Sequence, residues 1–331
     1  MTELYSFRKA TPWALLSMVA YAFQHPLVEP LAAQNRDGFL GYFSVLLFAE
    51  LVPLGCLIIL ISQPKLKKNI TFLFSSLENA KRVIILALLG TLSGLIYVVS
   101  VANLPLVYLA LILNTMPIYA FVIGAFMHGV VPPRNVIFTS LVCWTGIFLT
   151  AGNTFIDQSW VKIISIFLFA SLIPVLFALK SFLFNSWFSS KSITVETCRL
   201  LAISAIDIPL IAFCAIAVHF VLGGGAFLPS GTSTQFSLFL LGTFSVTIVA
   251  PLALQRSLSW SKPDYWYPMM FFFAIPILVA GIEYISYSYG FVNNNEIGRS
   301  DLYGITAITI GLISHFLLNR EKYEDEEIKN E

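Results

Sequence analysis

The feature that most constrains this chain is the length of its uninterrupted apolar runs. They fall at about 12–32, 38–62, 83–102, 105–128, 135–152, 160–184, 194–222, 235–257, 264–289 and 301–318. A helix needs about 20 apolar residues to cross the hydrocarbon core of a bilayer, and each run is near or above that length. Stretches such as VIILALLG and MMFFFAIPILVAGI are continuously apolar, without the period-two alternation of a membrane β-barrel strand. The reading is therefore an all-α membrane protein with ten transmembrane helices. Composition excludes the soluble alternative: 57% of residues are hydrophobic and 11% charged, where soluble domains carry about 25% charged residues.

Charge sets orientation. With the N-terminus inside, fourteen Lys and Arg fall on the cytoplasmic side and three, Arg36, Lys162 and Arg299, outside. That bias fits cytoplasmic termini, an even number of spans, and a cell inner or plasma membrane location. Arg8 and Lys9 before an apolar stretch resemble a secretory leader, but Trp13, Pro26 and Glu29 in a run of span length read as an uncleaved first helix. Nineteen basic against eighteen acidic residues, with no basic block beyond KLKK at 65–68, exclude a nucleic-acid partner. Cys56, Cys143, Cys198 and Cys214 lie in apolar runs without CxxC spacing, as small hydrophobes do. No Walker loop, HExxH or GxSxG is present, so neither an enzyme nor a cofactor is expected. Ile70, Leu73, Phe74 and Leu77 repeat at helical spacing between flanking lysines, which fits an interfacial helix or an ordinary loop. The sequon at Asn69 falls on the inner side. Lys180 and Arg256 are expected to snorkel to headgroups, His219 and His315 to be peripheral, and the tail REKYEDEEIKNE to be a disordered charge run.

The chain also repeats itself. LLGTLS at 88–93 and LLGTFS at 240–245 match at five of six positions. In chain order, Trp13 and Pro26 pair with Trp160 and Pro174, Pro53 with Pro209, Pro105 and Pro117 with Pro263 and Pro276, and Gly146 with Gly311. This divides the chain into a five-helix repeat at 1–152, a second at 153–319, and a tail at 320–331. Five is odd, so the second repeat enters the membrane from the opposite side, an arrangement typical of secondary transporters with a site between the halves.

Helices four and five, PLVYLALILNTMPIYAFVIGAFMHGVVPPRNVIFTSLVCWTGIFLTAG (Pro105 to Gly152), resemble the most recognisable stretch of the drug/metabolite transporter superfamily in its ten-helix EamA-like form. Gly90 and Thr91 of helix three are similar too. The chain departs from the pattern at His128 and Gly129, where that family usually has glycine and glutamate. The resemblance implies a multi-pass carrier of small metabolites working by alternating access, with helices one, three, four, six, eight and nine lining the cavity.

Depth sorts the candidate site residues, because an ionisable group at mid-membrane is costly. Glu50 lies about 12 residues, or about 18 Å, into its span, and Asp207 lies at similar depth in the seventh. Each precedes a repeat-related proline. They are either protonated acids bonded to carbonyls, or a substrate counter-charge or proton carrier. His25 and Glu29 share a face beside Pro26 and Pro30; that segment is either a broken helix lining the outward cavity or a hydrogen-bonded kink. Glu283 lies among Tyr284, Tyr287 and Tyr289, an interfacial belt. Asn114 and Thr115 either orient a ligand or bridge helices. Tyr97, Tyr119 and Tyr21 form an aromatic set suited to an ammonium group.

The expectation is a secondary active transporter of a small polar or zwitterionic metabolite, an amino acid or related amine. The alternative is an exporter or exchanger of a larger cationic metabolite or drug, such as a nucleoside-containing sulfonium or amine. Its partners would be that small-molecule substrate, membrane lipids and a coupled proton or counter-substrate, in a monomer or homodimer.

Overall fold

The computed structural model describes residues 7–23, 27, 31, 39–103, 112–151, 165, 168–222, 231–261, 264–288 and 299–319. Among these the elements are helical and there is no strand. In chain order they are α1 (Phe7–Ala22), α2 (Phe39–Ile61), α3 (Pro64–Leu73), α4 (Leu77–Asn103), α5 (Met116–His128), α6 (Arg134–Ala151), α7 (Leu172–Phe188) and α8 (Ile193–Leu222). Then follow α9 (Ser233–Phe244), a π segment (Ser245–Val249), α10 (Ala250–Trp260), α11 (Trp266–Met270), a 3-10 turn (Phe271–Ala274), α12 (Ile275–Ser288) and α13 (Arg299–Leu318). Four helices, at Leu77–Tyr97, Leu168–Phe188, Ile193–Cys214 and Ser233–Trp260, are long and apolar enough to cross a membrane, and shorter apolar helices accompany them. This is a helical, membrane-embedded protein.

The faces of α4 explain why. Ile84, Ile85, Leu88 and Leu92 are exposed on one side, while Val83, Leu86, Ala87 and Thr91 are buried on the other. Such an apolar stripe would be an aggregation surface in water; in lipid it is the solvated side. Two large clusters form the interior. One joins α1, α5, α6, α7, α10, α13 and the α11–α12 region. The other joins α2, α3, α4, α7 and α8.

Hydrogen-bonding small residues set the closest seams, as in membrane helix packing generally. Along α1 and the π–α10 helix, Ser257 donates to the Ala10 carbonyl, Ser17 to that of Ala250, and Ser245 to that of Ala20, at 2.9, 2.9 and 3.2 Å. The order of these pairs makes the two helices antiparallel. Along α6 and α13, Gly146 lies against the Gly304 carbonyl and Ile308, and Gly311 against Cys143 and the Thr139 carbonyl. Asn135 closes this seam with a 2.7 Å bond to Asn319, again antiparallel.

Prolines accompany irregular turns in two helices. Pro117 cannot donate to the Leu113 carbonyl, and its ring crowds that turn. The chain accordingly turns at Asn114–Thr115, with i→i−3 bonds from Thr115 to Ile112 and from Ile118 to Thr115, before α5 begins. The fourth span, expected as one helix, is therefore broken. Pro276 likewise follows the 3-10 turn Phe271–Ala274. A π segment just before Pro251 interrupts the apolar helix Ser233–Trp260.

Three expectations change. The short helix between α2 and α4 covers Pro64–Leu73 and stops before Leu77, because Pro64 starts it and a turn at Phe74–Ser75 ends it. Arg256 does not snorkel: its Nε lies 2.8 Å from Glu196 Oε2, with both side chains buried, and Nη1 donates to the Ser190 carbonyl at 2.7 Å. The α10 face that carries it packs on α7 and α8, so the guanidinium has no route to a headgroup. His315 is not peripheral either; it is fully buried, with its ring edge-on to Trp266 at 5.9 Å. The charged tail and the side chain of His219 lie outside the described residues.

Candidate functional site

The charged residues deepest in the bundle lie at helix centres. Glu50 is the middle residue of the 23-residue α2, Gly90 of the 27-residue α4 and Lys180 of the 17-residue α7, and Asp207 is at the middle of the 30-residue α8. Helices α7 and α8 both pack on α4, and across it two of these side chains meet: Lys180 Nζ donates to Asp207 Oδ2 at 3.2 Å. The side chains of this pair are 23% and 6% exposed. Glu50 is half-buried at the centre of α2, which packs on α4 and α8 at the same level of the bundle. Asp207 Oδ1 is buried and has no hydrogen-bond partner among the described residues.

Gly90 explains how the pair fits. A Cβ built there would lie 2.5 Å from Asp207 Oδ2 and closer still to Lys180 Nζ. Glycine costs about 1 kcal/mol against alanine inside a helix; here its missing side chain is the space that the ion pair fills. Glu50 and Gly90 belong to the first half of the chain, Lys180 and Asp207 to the second.

One turn from Lys180, Phe177 meets the edge of the Tyr21 ring at 5.7 Å, and Phe272 of the 3-10 turn lies 5.4 Å from the same ring. The Tyr21 hydroxyl is buried without a partner among the described residues, as are those of Thr91 and Thr243, which occupy equivalent positions in the two LLGT motifs. Native interiors leave few such atoms. They are acceptors and donors available to water or a polar ligand.

At one end of the bundle α7 and α10 are stitched together. Asn185 donates to the Gln255 carbonyl at 3.1 Å and to Ser259 at 2.9 Å, and Gln255 donates back to the Ser181 carbonyl at 3.1 Å. Beside them His128 of α5 stacks on Tyr265 at 4.2 Å, and Phe182 meets both rings edge-on. This end is closed by polar and aromatic contacts.

Of the residues singled out by sequence, Glu50 and Asp207 lie at the centres of two helices that pack on each other, α2 and α8. Lys180 joins Asp207, which corrects the expectation that it reaches a headgroup: eight residues separate it from either end of α7, so its stem is spent reaching Asp207. Tyr97 is half-buried two turns along α4 from Gly90. Asn114 is buried at the break before α5, and Tyr119 is half-buried one turn into that helix. Among the described residues neither hydrogen-bonds to the charged group. His25, Glu29 and the side chain of Glu283 lie outside the described residues. Sequence reasoning passed over Lys180 and Gly90; the depth argument that selected the acids applies equally to a lysine flanked by FAL and SFLF.

No family model matches the chain, and no curated protein matches it. A solved structure described as "Crystal structure of protein" is similar over 94% of this chain and 98% of its own, with a TM-score of 0.62 and 15% identity. At that identity the likeness establishes a shared fold along nearly the whole chain and nothing about chemistry.

Proposed function

We propose that this protein is a secondary active transporter that moves a small polar or zwitterionic metabolite bearing an amino group, an amino acid or related amine, by alternating access. The carrying observation is the Lys180–Asp207 ion pair, with Glu50 at the same level, at the centres of three helices that all pack on α4. Ionisable residues inside a membrane are retained where they face a pathway or each other, and carboxylates there offer a counter-charge to a substrate ammonium. The reading includes ten spans in two inverted repeats, cytoplasmic termini and a cell inner or plasma membrane location. Support for the repeats comes from reciprocal packing: pairing Gly146 with Gly311 also pairs Thr139 with Gly304 and Cys143 with Ile308, so each glycine meets its partner's counterparts, as a two-fold axis between α6 and α13 requires. The matching breaks before Pro117 and Pro276 point the same way. On this reading the chain is a member of the drug/metabolite transporter superfamily, EamA-like. A proton or counter-substrate supplies the driving gradient.

The test is uptake of labelled amino acids and amines into proteoliposomes, with and without a pH gradient. Wild-type uptake is expected for at least one amino-containing metabolite, and Asp207→Asn or Glu50→Gln is expected to abolish gradient-driven uptake in a protein that still inserts. A carboxylate acting as proton carrier leaves substrate exchange intact when neutralised; one acting as counter-charge loses binding as well. Wild-type rates in both variants would overturn the assignment of the site. The excess of carboxylates over ammonium groups favours, as a second reading, a larger cationic substrate, and the same panel separates the two.

A further inference from the structure

We propose that Lys180 is a tethered counter-cation, occupying on Asp207 the place that a substrate ammonium takes, so that the empty carrier keeps this carboxylate paired while it changes orientation. The inference rests on the transport reading above and deepens it. Three observations carry it. The ion pair is a single contact at 3.2 Å to Oδ2, and Oδ1 remains buried without a partner among the described residues. A lysine is a point charge on a flexible stem, unlike the bidentate fork of arginine, so this contact can be surrendered to a competing ammonium. Glu50, from the other half of the chain, stands at the centre of α2, which packs on α4 and on the helix of Asp207, and so offers the displaced Lys180 a second carboxylate. Gly90, also from the first half, leaves open the space in which the ammonium sits.

The charge balance follows. A carboxylate stranded at mid-membrane is penalised heavily. With Lys180 on Asp207 and a proton on Glu50 the group is neutral in the empty carrier; with a substrate ammonium on Asp207, Lys180 passes to Glu50, which releases its proton, and the loaded group is neutral too. Without Lys180 only the loaded carrier can cross, which leaves exchange and removes net movement.

Two readouts test this. With a tritiated mixture of the proteinogenic amino acids outside proteoliposomes that are empty (net uptake) or hold the same unlabelled mixture (exchange), Lys180→Met should lower net uptake about a hundredfold relative to exchange, the order expected for a buried charge that loses its partner; Lys180→Arg, which keeps the charge but holds it in a fork, should slow both and leave their ratio unchanged. The second readout needs no substrate. Nitroxide labels replace exposed Phe126 on α5 and Ser192 before α8, on a background lacking Cys56, Cys143, Cys198 and Cys214, and their separation is measured by electron–electron double resonance. The empty protein with Lys180 is expected to show two distance populations, and Lys180→Met one. Lys180→Met with Asp207→Asn, which also removes the stranded acid, should restore two, and this variant decides the matter if the single substitution does not insert. A single population with Lys180 present, two in Lys180→Met, or one in the double variant would each overturn the proposal. So would equal loss of net uptake and exchange in a folded Lys180→Met protein, which would make Lys180 a substrate contact. If the wild type takes up none of the mixture, the amino-acid reading fails, and the distance measurement still decides the role of Lys180.

Discussion

Replacing Gly90 with alanine should separate stability from function. The added Cβ would lie 2.5 Å from Asp207 Oδ2 and closer to Lys180 Nζ, whereas ordinary contact begins near 3.4 Å. The atoms in its way are the ends of two side chains, so the helices need not move; the ion pair must. If Nζ withdraws by about 1 Å, the 3.2 Å pair lengthens to about 4.2 Å, and at an effective dielectric of about 20 the attraction weakens by about 1 kcal/mol. That corresponds to roughly five- to tenfold in any equilibrium that depends on the pair. Alanine meanwhile favours the helix by about 1 kcal/mol. Gly90→Ala should therefore melt at or above the wild-type temperature in detergent while its initial uptake rate changes five- to tenfold. Two results would refute the reasoning: a lowered melting midpoint, meaning that backbone rather than side chains yields, or an unchanged rate in a protein of unchanged stability.

Three further outcomes are expected. Gly146→Ala should cost about 1–3 kcal/mol, because its Cβ meets backbone atoms, the Gly304 carbonyl at 2.7 Å and the Ile308 nitrogen at 2.9 Å; Gly311→Ala meets Cys143 Sγ at 2.5 Å first and should be largely relieved by Cys143→Ala, so denaturation midpoints in the reverse order would count against the α6–α13 seam. Glu196→Gln leaves Arg256 buried beside a neutral amide and should destabilise by about 3–5 kcal/mol, with less lost when Arg256→Met accompanies it; a double variant less stable than the single one would mean that the pair is not coupled. Cysteines at Lys67 and Ser192 should react with membrane-impermeant thiol reagents only from the cytoplasm and one at Thr232 only from outside, and labelling of all three from one side would contradict the alternating arrangement.

The fold was legible wherever one property repeats along the chain. Continuous apolar runs mark helices in lipid, and the lipid-facing stripe Ile84, Ile85, Leu88 and Leu92 is such a run seen from outside. Depth alone selected Glu50 and Asp207. It would have selected Lys180 too, had the turn at 189–192 been used to fix the end of α7; a lysine with a long stem was instead credited with a reach to headgroups. Arg256 and Glu196 were illegible for another reason: no periodicity links residues on helices that meet only in the folded bundle. Proline announced interruptions at Pro117 and Pro276, but whether the chain answers with an open turn or a 3-10 turn depends on the neighbours that take up the freed carbonyls.

The α6–α13 seam has a consequence for biosynthesis. These helices pack as closely as any in the protein, with glycine against backbone and Asn135 bonded to Asn319, yet nearly half the chain is made between Ala151 and Arg299. At about 5–20 residues per second, the polar and glycine-lined face of α6 waits about 7–30 s in the membrane for the last helix to arrive. During that interval Thr139, Ser140 and Asn135 have only their own helix or a chaperoning surface to turn to. A chain cut before Arg299 leaves the α6 face of the seam open and is expected to be degraded faster than one that carries α13; pulse-chase of the two would find equal half-lives if the seam had no such role.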